Sequence, residues 1–225
     1  MISAFDRTRA LIGEESFGKL SRSHVLVVGL GGVGGAAAEV LVRAGVGYIT
    51  FVDGDLFEPT NLNRQILCTA HNIGTHKAAA AVERAKAINP DIHSEAVNEF
   101  VSEKNIDRIL ATDYAYCIDA IDDVKNKILL VCACKTRGIP VVSAMGAGNR
   151  TDCSFKVTDV FSTKYDPLAR KLRHELKKCG IASLDVACAD TPPAVVSATP
   201  LSYSAPPFVM GAMLANHAVN GIISR

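Results

Sequence analysis

Gly29, Gly31, Gly32 and Gly34 stand in the run VLVVGLGGVGG, where a continuous apolar stretch meets a glycine cluster. Gly29, Gly31 and Gly34 satisfy G-x-G-x-x-G between a predicted strand and a predicted helix. Glycines at that spacing permit a tight turn and close approach of the backbone to phosphate, and the helix that follows offers its positive end to the charge. Asp53 closes the next apolar run, YITFVD, about 20 residues beyond the turn, where an acidic side chain can bind ribose hydroxyls. These residues predict a nucleotide site and leave a dinucleotide and ATP equally open.

The residues after Asp53 separate the two. NLNRQ supplies Arg64 and NIGTHKA supplies Lys77, two cations downstream of the ribose acid. Two cations suit a triphosphate: arginine clamps phosphate oxygens bidentately, lysine adds a compact charge, and both stabilise a departing pyrophosphate. IDAIDD then puts Asp119 and Asp122 at the carboxyl end of the fourth predicted strand, the edge on which open α/β sheets bind ligands. A carboxylate beside a triphosphate is what magnesium requires, because that ion keeps several waters and takes one or two protein oxygens. Asp123 reads instead as a helix N-cap.

The elements that must hold these groups follow from alternation. From residue 25 short apolar runs alternate with longer amphipathic ones: strands at VLVVG, YITFVD, HSEAVN, YAYCIDAI and PVVSAMGAG, and helices over 33–45, 76–88, 103–111 and 123–137. Such alternation predicts an α/β fold, a Rossmann-like doubly wound and mostly parallel sheet. The chain divides into an N-terminal helical arm (1–24), the nucleotide-binding core (25–148) and a C-terminal elaboration (149–225), all in one domain. In the elaboration FKVTDVF reads as a strand and DPLARKLRHELKK as a helix, 180–207 as a mobile loop, and 208–223 as a buried closing helix.

Composition sets limits on partners. The 225 residues carry a net charge of +1, which gives no global field for nucleic acid or membrane, so a polyanion needs a local patch. The helix over 167–178 offers one: at 100° per residue Arg170, Lys171, Arg173, His174, Lys177 and Lys178 fall within about 160°, with Leu168, Leu172 and Leu176 opposite. On composition alone that face is equally an ordinary solvated surface. Charged residues in the first 24 positions exclude a secretory h-region, and no apolar run reaches the ~18 residues of a membrane span, so a cytoplasmic location without membrane contact is expected. Seven cysteines with no C-x-x-C pair predict reduced thiols rather than a disulfide framework or a four-cysteine zinc site.

GLGGVG, FVDGDLFEPTNLNRQ, GTHKAAA and DAIDD, in that order, resemble the ATP-dependent activating enzymes of the ThiF/MoeB/HesA type, relatives of the ubiquitin-activating enzymes. The resemblance implies adenylation of a carboxylate with Mg-ATP. It implies that the Gly29–Gly34 turn holds the phosphates and Asp53 the ribose, that Asp55, Asn61 and Gln65 line the site, that Arg64 and Lys77 contact the triphosphate, and that Asp122 binds magnesium. It further implies an N-terminal arginine, Arg9 or Arg7, reaching the ATP site of the other subunit of a homodimer.

Within that family FDRTRALIGEESFGKL, YCIDAIDDVKNK, IPVVSAMGAGNRTD and VTDVFSTKYDPLARKLRHELKK are similar to the tRNA threonylcarbamoyladenosine dehydratase group. That implies a tRNA substrate, contacted by Arg170, Lys171, Arg173, Lys177 and Lys178, whose threonyl carboxylate is adenylated before the tethered carbamoyl oxygen displaces AMP. No zinc is expected, and a sulfur-transfer partner protein remains open. Some dehydratases carry a cysteine where this chain has Thr199, and Cys188 is the thiol placed in the irregular stretch. The alternatives are an enzyme adenylating the C-terminus of a ubiquitin-like sulfur carrier, an NAD-dependent oxidoreductase, which leaves Arg64, Lys77 and Asp122 without a role, and a non-catalytic nucleotide-binding adaptor.

Overall fold

The computed structural model describes residues 4–197 and 199–225. Seven strands form one sheet: β1 (His24–Val28), β2 (Tyr48–Val52), β3 (His93–Val97), β4 (Tyr116–Asp119), β5 (Val141–Ala144), β6 (Phe155–Asp159) and β7 (Asp185–Ala189), in spatial order β3-β2-β1-β4-β5-β7-β6. All neighbours are parallel except β6, which runs antiparallel to β7 at the edge. The order reverses between β1 and β4, and that switch point opens a crevice at the strands' carboxyl ends. The expected doubly wound, mostly parallel α/β sheet is therefore present.

The central strands are apolar on both faces because helices cover both. On one face α3 (Gly32–Ala44), α4 (Lys77–Ile88) and α8 (Ala205–Ile223) bury Val25, Val27, Leu41, Phe51, Met210 and Leu214. On the other α5 (Ile106–Ile109), α6 (Val124–Thr136) and α7 (Pro167–Lys178) bury Leu26, Val28, Leu130, Leu172 and Leu176. The arm is two helices, α1 (Asp6–Ile12) and α2 (Glu14–Arg22), joined at Gly13, with Phe17 and Leu20 of α2 buried.

Three expectations need correction. The stretch 180–207 is not all loop: Asp185–Ala189 is β7, an interior strand that is buried except for Asp185. Its residues are small, and Ala187 packs toward one core while Val186 and Cys188 pack toward the other, so it shows no polar alternation. The helix expected over 103–111 is the short α5, preceded by a turn in which Asn105 Oδ1 accepts from the Ser102 amide at 2.8 Å. The last helix begins at Ala205, with Pro206 and Pro207 in its first turn, where a missing N–H costs nothing. It is buried on one side only: Met210, Gly211, Leu214, Ala215 and Ala218 face inward, while Val209 and Asn216 are exposed.

Beneath the switch point lies a fully buried charge network. Lys127 Nζ donates to Asp119 Oδ2 at 2.8 Å, Ser143 Oγ donates to the same oxygen, and the Ile121 amide donates to Oδ1 at 3.1 Å. Both side chains of the ion pair are 0% exposed. Lys127→Met leaves the Asp119 carboxylate without its cation and is expected to lower unfolding free energy by about 3–5 kcal/mol in urea titrations. A change below about 1 kcal/mol would mean that the charge is not confined as the structure places it.

Candidate functional site

The turn after β1 is built by exclusion of side chains. Gly29 has φ 85°, and a Cβ there would lie 2.6 Å from the Ala120 carbonyl oxygen, so β1 and β4 meet backbone to backbone. A Cβ on Gly34 would lie 1.7 Å from the Gly29 carbonyl oxygen, so the first turn of α3 rests directly on the strand end. The amino end of α3 thereby faces the crevice.

A cavity of about 1040 Å³ occupies that crevice. Gly29, Gly31, Gly32, Asp53, Asp55 and Asn61 line it, together with Arg64, Gln65, Lys77, Asp122 and Lys171. Gly34 lies outside the lining and acts through packing. The Asp53 carboxylate accepts from the Leu30 amide at 2.6 Å and the Asp55 amide at 2.8 Å, which ties the β2 end to the glycine turn. Burial pushes its carboxyl above the usual range, opposed by those two donors and by Lys77.

The cations are held by different means. Lys77, the first residue of α4, is only 8% exposed at its side chain and donates to Asp55 Oδ2 at 2.8 Å. An isolated bridge between Leu56 and His76 brings the two segments together. Arg64 Nη1 donates to the Thr60 carbonyl at 2.9 Å and to Asn63 Oδ1 at 2.9 Å, leaving its other donors available to the cavity. Gln65 is buried, and its Oε1 has no hydrogen-bond partner among the described residues. Glu58 and Asn61 reciprocally cap the short 3₁₀ turn that carries this segment.

Asp119 and Asp122 part company. Asp119 is consumed by the Lys127 network, whereas Asp122 is exposed and lines the cavity. Asp123 caps α6, accepting from the Asn126 amide at 2.8 Å.

The basic helix is divided in the same way. Asp166 caps α7 through the Ala169 amide at 2.9 Å and also accepts from the Gly146 amide at 2.8 Å. That double contact puts Pro167, Leu168 and Lys171 in the cavity wall. Arg170, Lys177 and Lys178 are exposed on the same helix outside the cavity. Arg173 turns away: its Nη1 donates to the Thr163 carbonyl at 3.0 Å and to the Thr163 hydroxyl, fixing α7 to the turn after β6. Arg9 also lies outside the cavity, 3.1 Å from Glu14 and with its guanidinium 4.3 Å from the Phe17 ring centroid; Arg7 is exposed.

Cys188 is a buried β7 residue rather than a loop thiol, and burial pushes its pKa up. Motif and spacing did not point to Phe100 at the cavity wall, 61% exposed with its ring against Gly54, nor to Met145–Gly148, Pro200 and Ser202. Phe100 could have been noticed as an aromatic in a polar stretch just beyond β3.

The chain matches the ThiF family over residues 5–225 and belongs to it. It is 42% identical over 174 residues to the tRNA threonylcarbamoyladenosine dehydratase of Escherichia coli K12, covering 77% of this chain and 65% of that one. The dehydratase of Bacillus subtilis 168 is 38% identical over 198 residues, covering 87% and 78%. The chain thus spans about two thirds of the E. coli relative's length in sequence alignment. Among solved structures, the E. coli tRNA N6-threonylcarbamoyladenosine dehydratase in complex with AMP superposes with TM-score 0.92 at 33% identity, over 100% of this chain and 98% of that one. The same enzyme in complex with ATP gives TM-score 0.92 at 35% identity, over 98% and 94%.

Two expectations follow from this geometry. Asp53→Asn removes one acceptor oxygen at a buried, doubly hydrogen-bonded position, and ATP affinity by calorimetry is expected to fall about ten- to a hundredfold. In the folded protein, iodoacetamide is expected to alkylate exposed Cys153 and Cys179 while leaving Cys188 intact until unfolding, as read by mass spectrometry.

Proposed function

We propose that this protein is an ATP-dependent dehydratase of threonylcarbamoyladenosine in tRNA, acting through adenylation of the threonyl carboxylate. The observation that carries this reading is Lys171. It belongs to the basic helix and also lines the cavity that holds Arg64 and Lys77, so one element connects an exposed cationic surface with the nucleotide site.

The chemistry follows from the arrangement. ATP binds with its ribose at Asp53 and its phosphates over the Gly29–Gly34 turn. The substrate carboxylate attacks the α-phosphorus, the bond to the bridging oxygen breaks, and pyrophosphate leaves with its growing charge stabilised by Arg64 and Lys77. The tethered carbamoyl group then attacks the activated acyl carbon at high effective concentration and AMP departs, so the nucleoside loses one water overall. Magnesium fits beside Asp122, an exposed cavity carboxylate that can supply one protein oxygen to an ion otherwise held by phosphates and water. It would neutralise phosphate charge there. Among the described residues no group of three or more His, Cys, Asp or Glu could hold a metal.

Arg170, Lys171, Lys177 and Lys178 are the tRNA-contacting residues in this reading, with Arg173 reassigned to holding α7 in place. Phosphate contacts of this kind make binding salt-dependent. A homodimer is part of the proposal, with Arg9 or Arg7 meeting the partner's nucleotide, as are a cytoplasmic location and a possible sulfur-transfer partner. Among the described residues no helix is long and apolar enough to cross a membrane.

Incubation with Mg-ATP and tRNA bearing threonylcarbamoyladenosine is expected to release AMP and lower the nucleoside mass by one water. Arg64→Ala is expected to slow turnover roughly a hundredfold. AMP formation only on adding a protein that ends in Gly-Gly would replace this reading with the sulfur-carrier one.

A further inference from the structure

Asn149 is a residue the nucleotide chemistry does not use, and it has a backbone conformation that needs a reason. Its φ is 60°, and it alone among the described non-glycine residues has a positive φ. Asparagine tolerates this left-handed region better than most side chains, but the conformation still costs energy relative to extended or helical backbone.

Four hydrogen bonds converge on it. The Asn149 carbonyl accepts from the Ala194 amide at 2.8 Å and the Val195 amide at 3.3 Å. Its own amide donates to the Leu201 carbonyl at 2.7 Å, and its Oδ1 accepts from the Leu201 amide at 2.7 Å. One residue therefore grips the chain at Ala194 and again at Leu201.

Both neighbours of the second grip face the cavity. Pro200 and Ser202 line it, and Pro200 packs on Gly148, where a Cβ would come within 3.1 Å of the proline Cβ. The Ser202 carbonyl accepts from Asn63 Nδ2 at 2.8 Å, next to Arg64, and the Tyr203 hydroxyl donates to the Thr151 carbonyl at 3.0 Å. The segment thus bridges the end of β5 and the turn that carries Arg64. Of the groups assigned to ribose and phosphate, the glycine turn after β1, Asp53 at the β2 end and Lys77 at the start of α4 lie on other elements, and Arg64 adjoins the segment only through its neighbour Asn63.

We infer that Asn149 is a positioning residue: its two-ended grip holds Thr199, Pro200 and Ser202 as the wall that receives the carboxylate-bearing substrate, separately from nucleotide binding. The substrate part of this inference rests on the proposed adenylating function; the grip itself does not. The bond from the Leu201 amide to Oδ1 is the piece a side-chain substitution removes. Asn149→Ala and Asn149→Gly both remove it, and the glycine variant does so while accepting the positive φ without strain. Asn149→Asp keeps an acceptor in place.

The test uses the full chain in two measurements. Amide hydrogen exchange at Leu201 is expected to accelerate about tenfold in the alanine and glycine variants and stay near wild type in the aspartate variant. With Mg-ATP and threonylcarbamoyladenosine tRNA, the same two variants are expected to raise the KM for tRNA about tenfold while the KM for ATP moves less than about twofold, with recovery in the aspartate variant. Unchanged Leu201 exchange in the glycine variant would overturn the grip. A parallel rise in both KM values, or no recovery with aspartate, would overturn the positioning role. If the wild-type protein does not turn over this tRNA, the proposed function fails, and the exchange measurement alone decides whether Asn149 holds the segment.

Discussion

The contact on which the site depends is the approach of the Gly29 backbone to the Ala120 carbonyl, where there is no room for even one methyl group. This contact sets β1 against β4 at the point where the strand order reverses. Gly34 repeats the constraint one layer up, lowering α3 onto the Gly29 carbonyl and pointing the helix amino end into the crevice. A side chain at either position would push apart the elements whose separation defines the crevice. The glycines thus act less as flexible joints than as missing volume, and the buried Lys127–Asp119 pair just below holds the same strand end from the other side.

Much of this was legible in the sequence because these constraints are local. A strand, a glycine turn, a helix and the acid at the end of the second strand all lie within 25–53, and periodicity and spacing fix them. The position of Lys77 was legible for a different reason: it stands in NIGTHKA, where a turn-rich stretch meets the helix expected over 76–88. What was not legible depends on contacts distant along the chain. β7 consists of small residues buried on both faces, so neither length nor alternation marks it, and only its pairing with β5 and β6 makes it a strand. Arg173 falls on the basic arc by angle, yet Thr163, ten residues earlier, captures it. A helical wheel shows direction and not partners.

The same distinction separates Asp119 from Asp122 in IDAIDD. Both sit at the carboxyl edge of the sheet, and residue type and spacing alone do not rank them as ligands; only the family resemblance singles out Asp122. Asp119, the last residue of β4, points into the layer occupied by α6, where Lys127 is fully buried and must have a carboxylate. Asp122, three residues on, has left the strand and faces the cavity. Three residues of chain separate a structural charge from an available one.

Lys77 shows how the site can hold a cation before a nucleotide arrives. A nearly buried ammonium without a partner is costly, so the resting state supplies Asp55 at 2.8 Å. Asp55 is itself about half exposed, at 52%, so its carboxylate can return to water at little cost. In the proposed function an incoming phosphate would replace one anion with another beside a lysine whose desolvation was met during folding. The segment from Asp53 to Lys77 therefore does two things with one set of residues: Asp53 binds the glycine turn through the Leu30 amide, and Asp55 holds the lysine. Since Leu56 bridges to His76 between them, the spacing of Asp53 and Lys77 is set by backbone rather than by side-chain reach.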